Sequence, residues 1–132
     1  VLVVDDDPAI RLLCSVNLEL AGLTVLEAAD GRIALARARS EQPDVVVTDV
    51  RMPQLDGFQL AEALQGDDGT RAIPLIFVSA ETNAANQARA GRLGALAYLT
   101  KPFDPSALVA IVGDALSRAG LHVRPEATEV VL

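Results

Sequence analysis

The chain has 132 residues, 51% of them hydrophobic, which is enough for one domain with a real core and excludes a disordered tail. A net charge of -7 argues against nucleic acid as a direct partner, because phosphate contacts need clustered Lys and Arg. The apolar runs are far shorter than the ~20 residues a bilayer requires, and no basic-then-apolar signal segment is visible.

Five short apolar runs alternate with helical patterns. The first, residues 1–4 (VLVV), ends in Asp5, Asp6 and Asp7. Asp7 can cap a first helix that has Pro8 at its first position, runs to about Leu20 and closes at Gly22. Cys14 lies on that helix among Ile10, Leu13 and Leu18 and reads as a small core residue. As the single cysteine it cannot form an internal disulfide, which suits a reducing compartment. The second run is residues 24–28, and a helix follows from about Gly31 to Ser40 with Ile33 and Leu35 apolar. The third run, residues 44–48, stops at Asp49 and leads through Met52, Pro53 and Gly57 into a helix from about Phe58 to Gln65. The fourth, residues 74–79, ends in Ser79, Ala80 and Glu81. The helix after it, about Asn83 to Leu93, is rich in Ala and Gly and is expected to be the least stable. The fifth, residues 95–100, ends in Thr100, Lys101 and Pro102. A last helix opens with Asp104 as cap and Pro105, and carries Leu108, Ile111, Val112 and Ala115 on one face. After about Ala119 the pattern becomes that of a linker or tail, and the lone His122 there reads as a solvated residue. The chain begins at Val1 and not at Met, which leaves further residues or a domain upstream open.

At least three of the runs lack polar alternation, as expected of parallel strands covered on both faces. The βαβαβαβαβα order with right-handed crossovers predicts an α/β doubly wound, five-stranded parallel sheet in a single domain. Sites in such sheets form beyond the carboxyl ends of the strands. Those ends carry Asp5, Asp6, Asp7, Asp49, Ser79, Glu81 and Lys101, so several carboxylates, a hydroxyl and one ammonium are expected in one cleft. Two carboxylates about 4 Å apart repel by roughly 4 kcal/mol at an effective dielectric of about 20. One lysine cannot offset three aspartates, and a hard divalent cation such as Mg²⁺ would. Each residue alone has a plainer explanation as a cap, turn or solvated charge. Their joint placement at four strand ends favours a site.

The segments VLVVDDDP, VVVTDVRMPQLDG, PLIFVSA and GALAYLTKPF resemble the signature segments of the response-regulator receiver domain of two-component signalling. The resemblance covers about residues 1–118, leaving 119–132 as linker or tail, and implies a CheY-like (βα)5, flavodoxin-like fold. It implies that Asp49 is a phosphoacceptor that takes the phosphoryl group of a phosphohistidine on a sensor histidine kinase or a phosphotransfer protein. It further implies Mg²⁺, replaceable by Mn²⁺, held by Asp6, Asp49 and the backbone carbonyl of Arg51, with Asp5 acting through a water. Lys101 and Ser79 would bind phosphoryl oxygens, and a cis bond is expected at Lys101-Pro102. Ser79 and Tyr98 would form the conformational switch, while Arg51 and Glu81, of opposite charge, would tune the lifetime of the acyl phosphate. The family works in the cytoplasm on an output domain or partner protein, without turnover of an external substrate. Its usual dimer and output face, formed by the fourth helix, fifth strand and fifth helix, has Arg89, Arg92 and Asp114 as candidates and implies a phosphorylation-dependent homodimer.

Two other readings compete. A haloacid-dehalogenase-type phosphatase would use Asp5 and Asp7 with help from Ser79 and Lys101. It lacks the Thr or Val expected near Ala9 and a later acidic pair after Lys101. A non-phosphorylated interaction module on the same fold would be expected to lack Asp6, Asp49 or Lys101, and all three are present. P-loop nucleotide binding has no G-x-x-x-x-G-K-[ST] segment to support it.

Overall fold

A computed structural model of the chain describes residues 1–81 and 83–118. The tail and His122 lie outside the described residues. Ten elements alternate: β1 (Leu2–Val4), α1 (Pro8–Leu20), β2 (Leu26–Ala28), α2 (Gly31–Glu41), β3 (Val46–Asp49), α3 (Gly57–Gln65), β4 (Leu75–Ser79), α4 (Ala84–Arg92), β5 (Ala97–Thr100) and α5 (Pro105–Arg118). The strands form one parallel sheet in the order β2-β1-β3-β4-β5, so the expected doubly wound α/β architecture is present. The strands start one or two residues later than the apolar runs suggest, at Leu2, Leu26, Val46, Leu75 and Ala97.

Alternate strand residues feed two cores. Val3, Val47, Ile76 and Val78 pack with Cys14 and Leu18 of α1 and Leu108 and Val112 of α5. Leu2, Val4, Val46, Leu75 and Phe77 pack on the other face with Ala34 and Ala38 of α2 and Leu60 and Leu64 of α3. Each fully buried aliphatic side chain contributes about 1.5–3 kcal/mol of apolar transfer. The three central strands, β1, β3 and β4, are buried on both faces, which explains their lack of polar alternation; the edge strand β2 carries exposed Glu27.

The helix starts follow local chemistry. Asp7 Oδ1 accepts the Ala9 N–H ahead of Pro8, Asp30 accepts from Ile33 and Asn83 from Asn86. Asp56 and Gln59 form a reciprocal capping box at α3. At the last helix, Asp104 Oδ1 accepts the Ser106 N–H. In α2 the most buried apolar residues are not the largest: Ile33 is 45% exposed and Leu35 only partly buried, while Ala34 and Ala38 are fully buried. The start of α2 is also closely packed, since a methyl group added at Gly31 would collide with the backbone of Leu55. In α4 Ala90 is the buried residue.

Candidate functional site

The site is built at the carboxyl edge, where β1 and β3 lie side by side and the chain leaves them toward opposite faces of the sheet. Val4 is in register with Thr48, so the next residues, Asp5 and Asp49, stand beside each other. Ser79 is in register with Thr100, which brings Lys101 to the same edge. Asp49 is the last residue of β3 and not the first after it. Its backbone is confined. Thr48 Oγ1 donates to the Asp49 carbonyl at 2.9 Å, and a Cβ at Gly57 would run into that same carbonyl. Glycine is required there for the close approach, as the sequence suggested.

Asp5 and Asp49 are buried, at 3% and 8% exposure, and Asp6 is exposed. Lys101 Nζ bridges the two buried carboxylates, at 3.0 Å from Asp5 Oδ2 and 3.2 Å from Asp49 Oδ2. Asp5 Oδ1 accepts the Asp7 N–H at 2.9 Å. Burial, then the charge of Asp5, pushes the Asp49 carboxyl above its ordinary range, against the pull of Lys101 and the Arg51 N–H. Burial pushes the Lys101 ammonium down, but its hydrogen bond to Asp5 and the charges of Asp49 and Asp5 outweigh this and hold it above the usual lysine value. Lys101 therefore stays charged. The Lys101-Pro102 bond is cis. Cys14, behind the site, has its thiol pushed up to about 11 by burial and then by Asp5, so it is an inert core residue.

Carboxylate oxygens of Asp5, Asp6 and Asp49 lie within 4.8 Å of one another. Three hard anionic oxygens, with one ammonium to offset them, fit a divalent cation of the Mg²⁺ type. Asp7 does not join them, since its side chain caps α1.

Glu81 organises the opposite rim. Its carboxylate pairs with Arg51 and accepts from Asn86 Nδ2. Its N–H donates to Ser79 Oγ at 3.1 Å, and its carbonyl accepts from the Tyr98 hydroxyl at 2.8 Å. The two oppositely charged residues singled out in the sequence thus meet across the cleft. Tyr98 is half-buried and its hydroxyl is bonded to protein. Arg89 pairs with Glu62 at 2.9 Å and lies 4.7 Å over the Phe58 ring, so it ties α4 to α3. Arg118 pairs with Asp114 along α5.

Sequence reasoning missed Arg11 and Asn86. Arg11 Nη1 donates to the Asp5 carbonyl at 2.8 Å and its Nε to Glu27 at 3.0 Å. The available signal was a cation four residues after the cap Asp7, one turn into α1 and so on the capped side.

Comparison with known proteins follows the same lines. Residues 1–113 match the family described as the response regulator receiver domain. The chain is 40% identical over 118 residues to the DNA-binding dual master transcriptional regulator RpaA of Synechocystis sp., covering 89% of this chain and 49% of that protein. It is 39% identical over 117 residues to Protein PilH of Pseudomonas aeruginosa, covering 89% and 97%. The chain thus spans about half the length of one relative and nearly all of the other. Among solved structures, chemotaxis protein CheY4 of Vibrio cholerae superposes with a TM-score of 0.82 at 36% identity, covering 87% of this chain and 96% of that one. The signal receiver domain of a signal transduction histidine kinase from Syntrophus aciditrophicus superposes at 0.81 and 30% identity, covering 89% of each.

Proposed function

This chain belongs to the response regulator receiver domain family, and on that premise we propose that it is a phosphorylation switch whose acceptor is Asp49. The observation that carries the reading is the bridge from Lys101 Nζ to Asp49 and Asp5 in a pocket that Asp6 completes. An Asp49 oxygen attacks the phosphorus of a phosphohistidine on a sensor histidine kinase or phosphotransfer protein. The P–N bond breaks, the imidazole leaves, and an acyl phosphate forms. Mg²⁺ or Mn²⁺, held by Asp6, Asp49 and the Arg51 carbonyl with Asp5 acting through a water, would supply charge neutralisation and a template.

The chain's own groups do the rest. Lys101 is a compact cation that pairs with one phosphoryl oxygen. Ser79 Oγ accepts from Glu81, which leaves its own hydrogen to donate to another phosphoryl oxygen. Moving Ser79 pulls on the Glu81 N–H, and the carbonyl of the same residue holds the Tyr98 hydroxyl, so the new charge reaches β5. The Arg51–Glu81 pair covers the acceptor and lengthens the phosphoryl lifetime by hindering water. An apolar recess beside Lys101 is lined by Ile10, Leu13, Pro102 and Phe103, and α1 also exposes Leu12, Val16 and Leu20; this apolar surface suits a helical phosphodonor.

The domain is an acceptor and not an enzyme that turns over an external substrate. Its setting is cytoplasmic, with residues 119–132 as a linker or tail and an output domain or partner protein as the target of the switch. RpaA, described as DNA-binding, supports an output on DNA made by another segment. The face of α4, β5 and α5 is the candidate for a phosphorylation-dependent homodimer. No helix among the described residues is long and apolar enough to cross a membrane.

Intact-mass measurement after acetyl phosphate with Mg²⁺ tests the reading on the parent and Asp49→Ala. Gain of one phosphoryl group in the parent, absent in the variant and without Mg²⁺, is expected. No gain with either acetyl phosphate or a phosphorylated kinase would leave only an interaction module. Gain that survives Asp49→Ala would move the nucleophile to the end of β1.

A further inference from the structure

The end of β1 poses a local problem. The Asp5 N–H still bonds the Ala28 carbonyl at 3.2 Å, but the ladder between β1 and β2 stops at Val4 and Ala28. The Asp5 carbonyl therefore leaves the sheet at a largely buried position, where an unmet acceptor is costly. Arg11 supplies the partner, with Nη1 at 2.8 Å.

That carbonyl belongs to the peptide joining Asp5 to Asp6. The next peptide, joining Asp6 to Asp7, is tied by the Asp7 N–H to Asp5 Oδ1 at 2.9 Å. Both peptides flanking Asp6 are thus hydrogen-bonded, one by a side chain of α1 and one by Asp5 itself. Asp6 is exposed, so packing does little to orient it. Its carboxylate direction depends on these two tied planes.

Arg11 is in turn held in place. Its Nε bonds Glu27 of β2 at 3.0 Å, and its backbone N–H bonds the Asp7 carbonyl at 3.0 Å. A planar guanidinium can meet a carbonyl and a carboxylate at once, which an ammonium cannot do with the same geometry. Glu27 also offsets the guanidinium charge, so the contribution to the acidic pocket is geometric more than electrostatic.

We infer that Arg11 is a positioning residue for divalent-cation binding, because its hydrogen bond to the Asp5 carbonyl, braced by Glu27, fixes the peptide that aims Asp6. This rests on reading the acidic pocket as a cation site. Partners one step removed from metal ligands typically change affinity by roughly tenfold or more.

The test is titration of metal-free parent, Arg11→Ala, Arg11→Lys and Glu27→Gln with MgCl₂ by calorimetry and with MnCl₂ by electron paramagnetic resonance. Thermal unfolding without metal is measured in parallel. The expected result is affinity roughly tenfold weaker in Arg11→Ala. Arg11→Lys should fall between it and the parent, and Glu27→Gln, which keeps an acceptor, should be nearest the parent. A lower Tm with parental affinity in Arg11→Ala would make Arg11 a stabilising strut only and overturn the inference, leaving the cation site intact. If Arg11→Ala does not fold, parental affinity in Arg11→Lys overturns it equally. A parent that binds neither ion removes the site itself and the inference with it, which the mass experiment distinguishes through the Mg²⁺ dependence of phosphorylation.

Discussion

The two sides of the pocket are built differently. On the β1–β3 side, Asp5 and Asp49 are buried, bridged by Lys101, and backed by Thr48, Gly57 and Arg11. On the β4–α4 side, contacts run through one part-exposed residue, Glu81, to Arg51, Asn86, Tyr98 and Ser79. The helix beyond is anchored by buried Ala90 and by the Arg89 contacts at its surface. The first side has few ways to move, because close packing and charge fix each group. The second side is held by a few part-buried hydrogen bonds through one residue, which can be exchanged for others at smaller cost. The chemistry that we propose sits on the stiff side, and the response on the soft one.

The largest expected effect strikes the stiff side. Gly57→Ala should cost about 3 kcal/mol, because its Cβ meets the Asp49 carbonyl and backbone cannot give way as a side chain does. Chemical denaturation measures this, and a cost near zero would mean that the backbone around Asp49 is not confined. Lys101→Ala should cost on the order of 2 kcal/mol in metal-free protein at neutral pH, discounted because the ammonium is part-exposed. The loss should shrink when the pH falls and the Asp49 carboxylate that it pairs with becomes protonated.

Asp49→Asn should act in the opposite direction and raise the Tm of metal-free protein, by about 2–5 °C. The sign follows from the carboxyl, which titrates above its ordinary value of 3.8 in the fold through burial and Asp5. A raised folded pKa means that stability is lost as the pH rises through it, so removing the charge helps most above that pH. The gain should vanish below the ordinary carboxylate range. A variant that is less stable than the parent at neutral pH would show that the Lys101 bridge outweighs burial.

The smallest stability effect belongs to the soft side. Asn86→Ala should change the Tm by about 1 °C or less, yet speed amide hydrogen exchange in the first turn of α4. If exchange there is already as slow as in α5, the contrast between the two sides fails. Arg51→Ala combined with Glu81→Ala should leave folding nearly unchanged and shorten the phosphoryl lifetime. A lifetime equal to that of the parent would show two solvated charges and no cover.

Much of the site could be read before folding because it is written in short-range patterns. Asp7 followed by Pro8 marks the start of α1, and an apolar run that ends in Asp49 marks a strand tip. The α2 core was harder to read. Ile33 has more apolar surface than Ala34, yet only the packed structure shows that Ala34 is buried and Ile33 faces out. Asp56 and Gln59, three residues apart at the start of α3, form a capping box that residue type and spacing alone make legible.

By itself the sequence determined the alternation of strands and helices, the residues at the strand ends, and the excess of negative charge among them. These depend on periodicity, capping and composition, which act over a few residues. The tertiary structure alone decided that Lys101 reaches both Asp5 and Asp49, that Arg51 meets Glu81, that the Tyr98 hydroxyl finds the Glu81 carbonyl, and that Arg11 closes the end of β1. Those contacts join residues as many as 96 positions apart. Their geometry depends on strand order and register, which no local preference encodes.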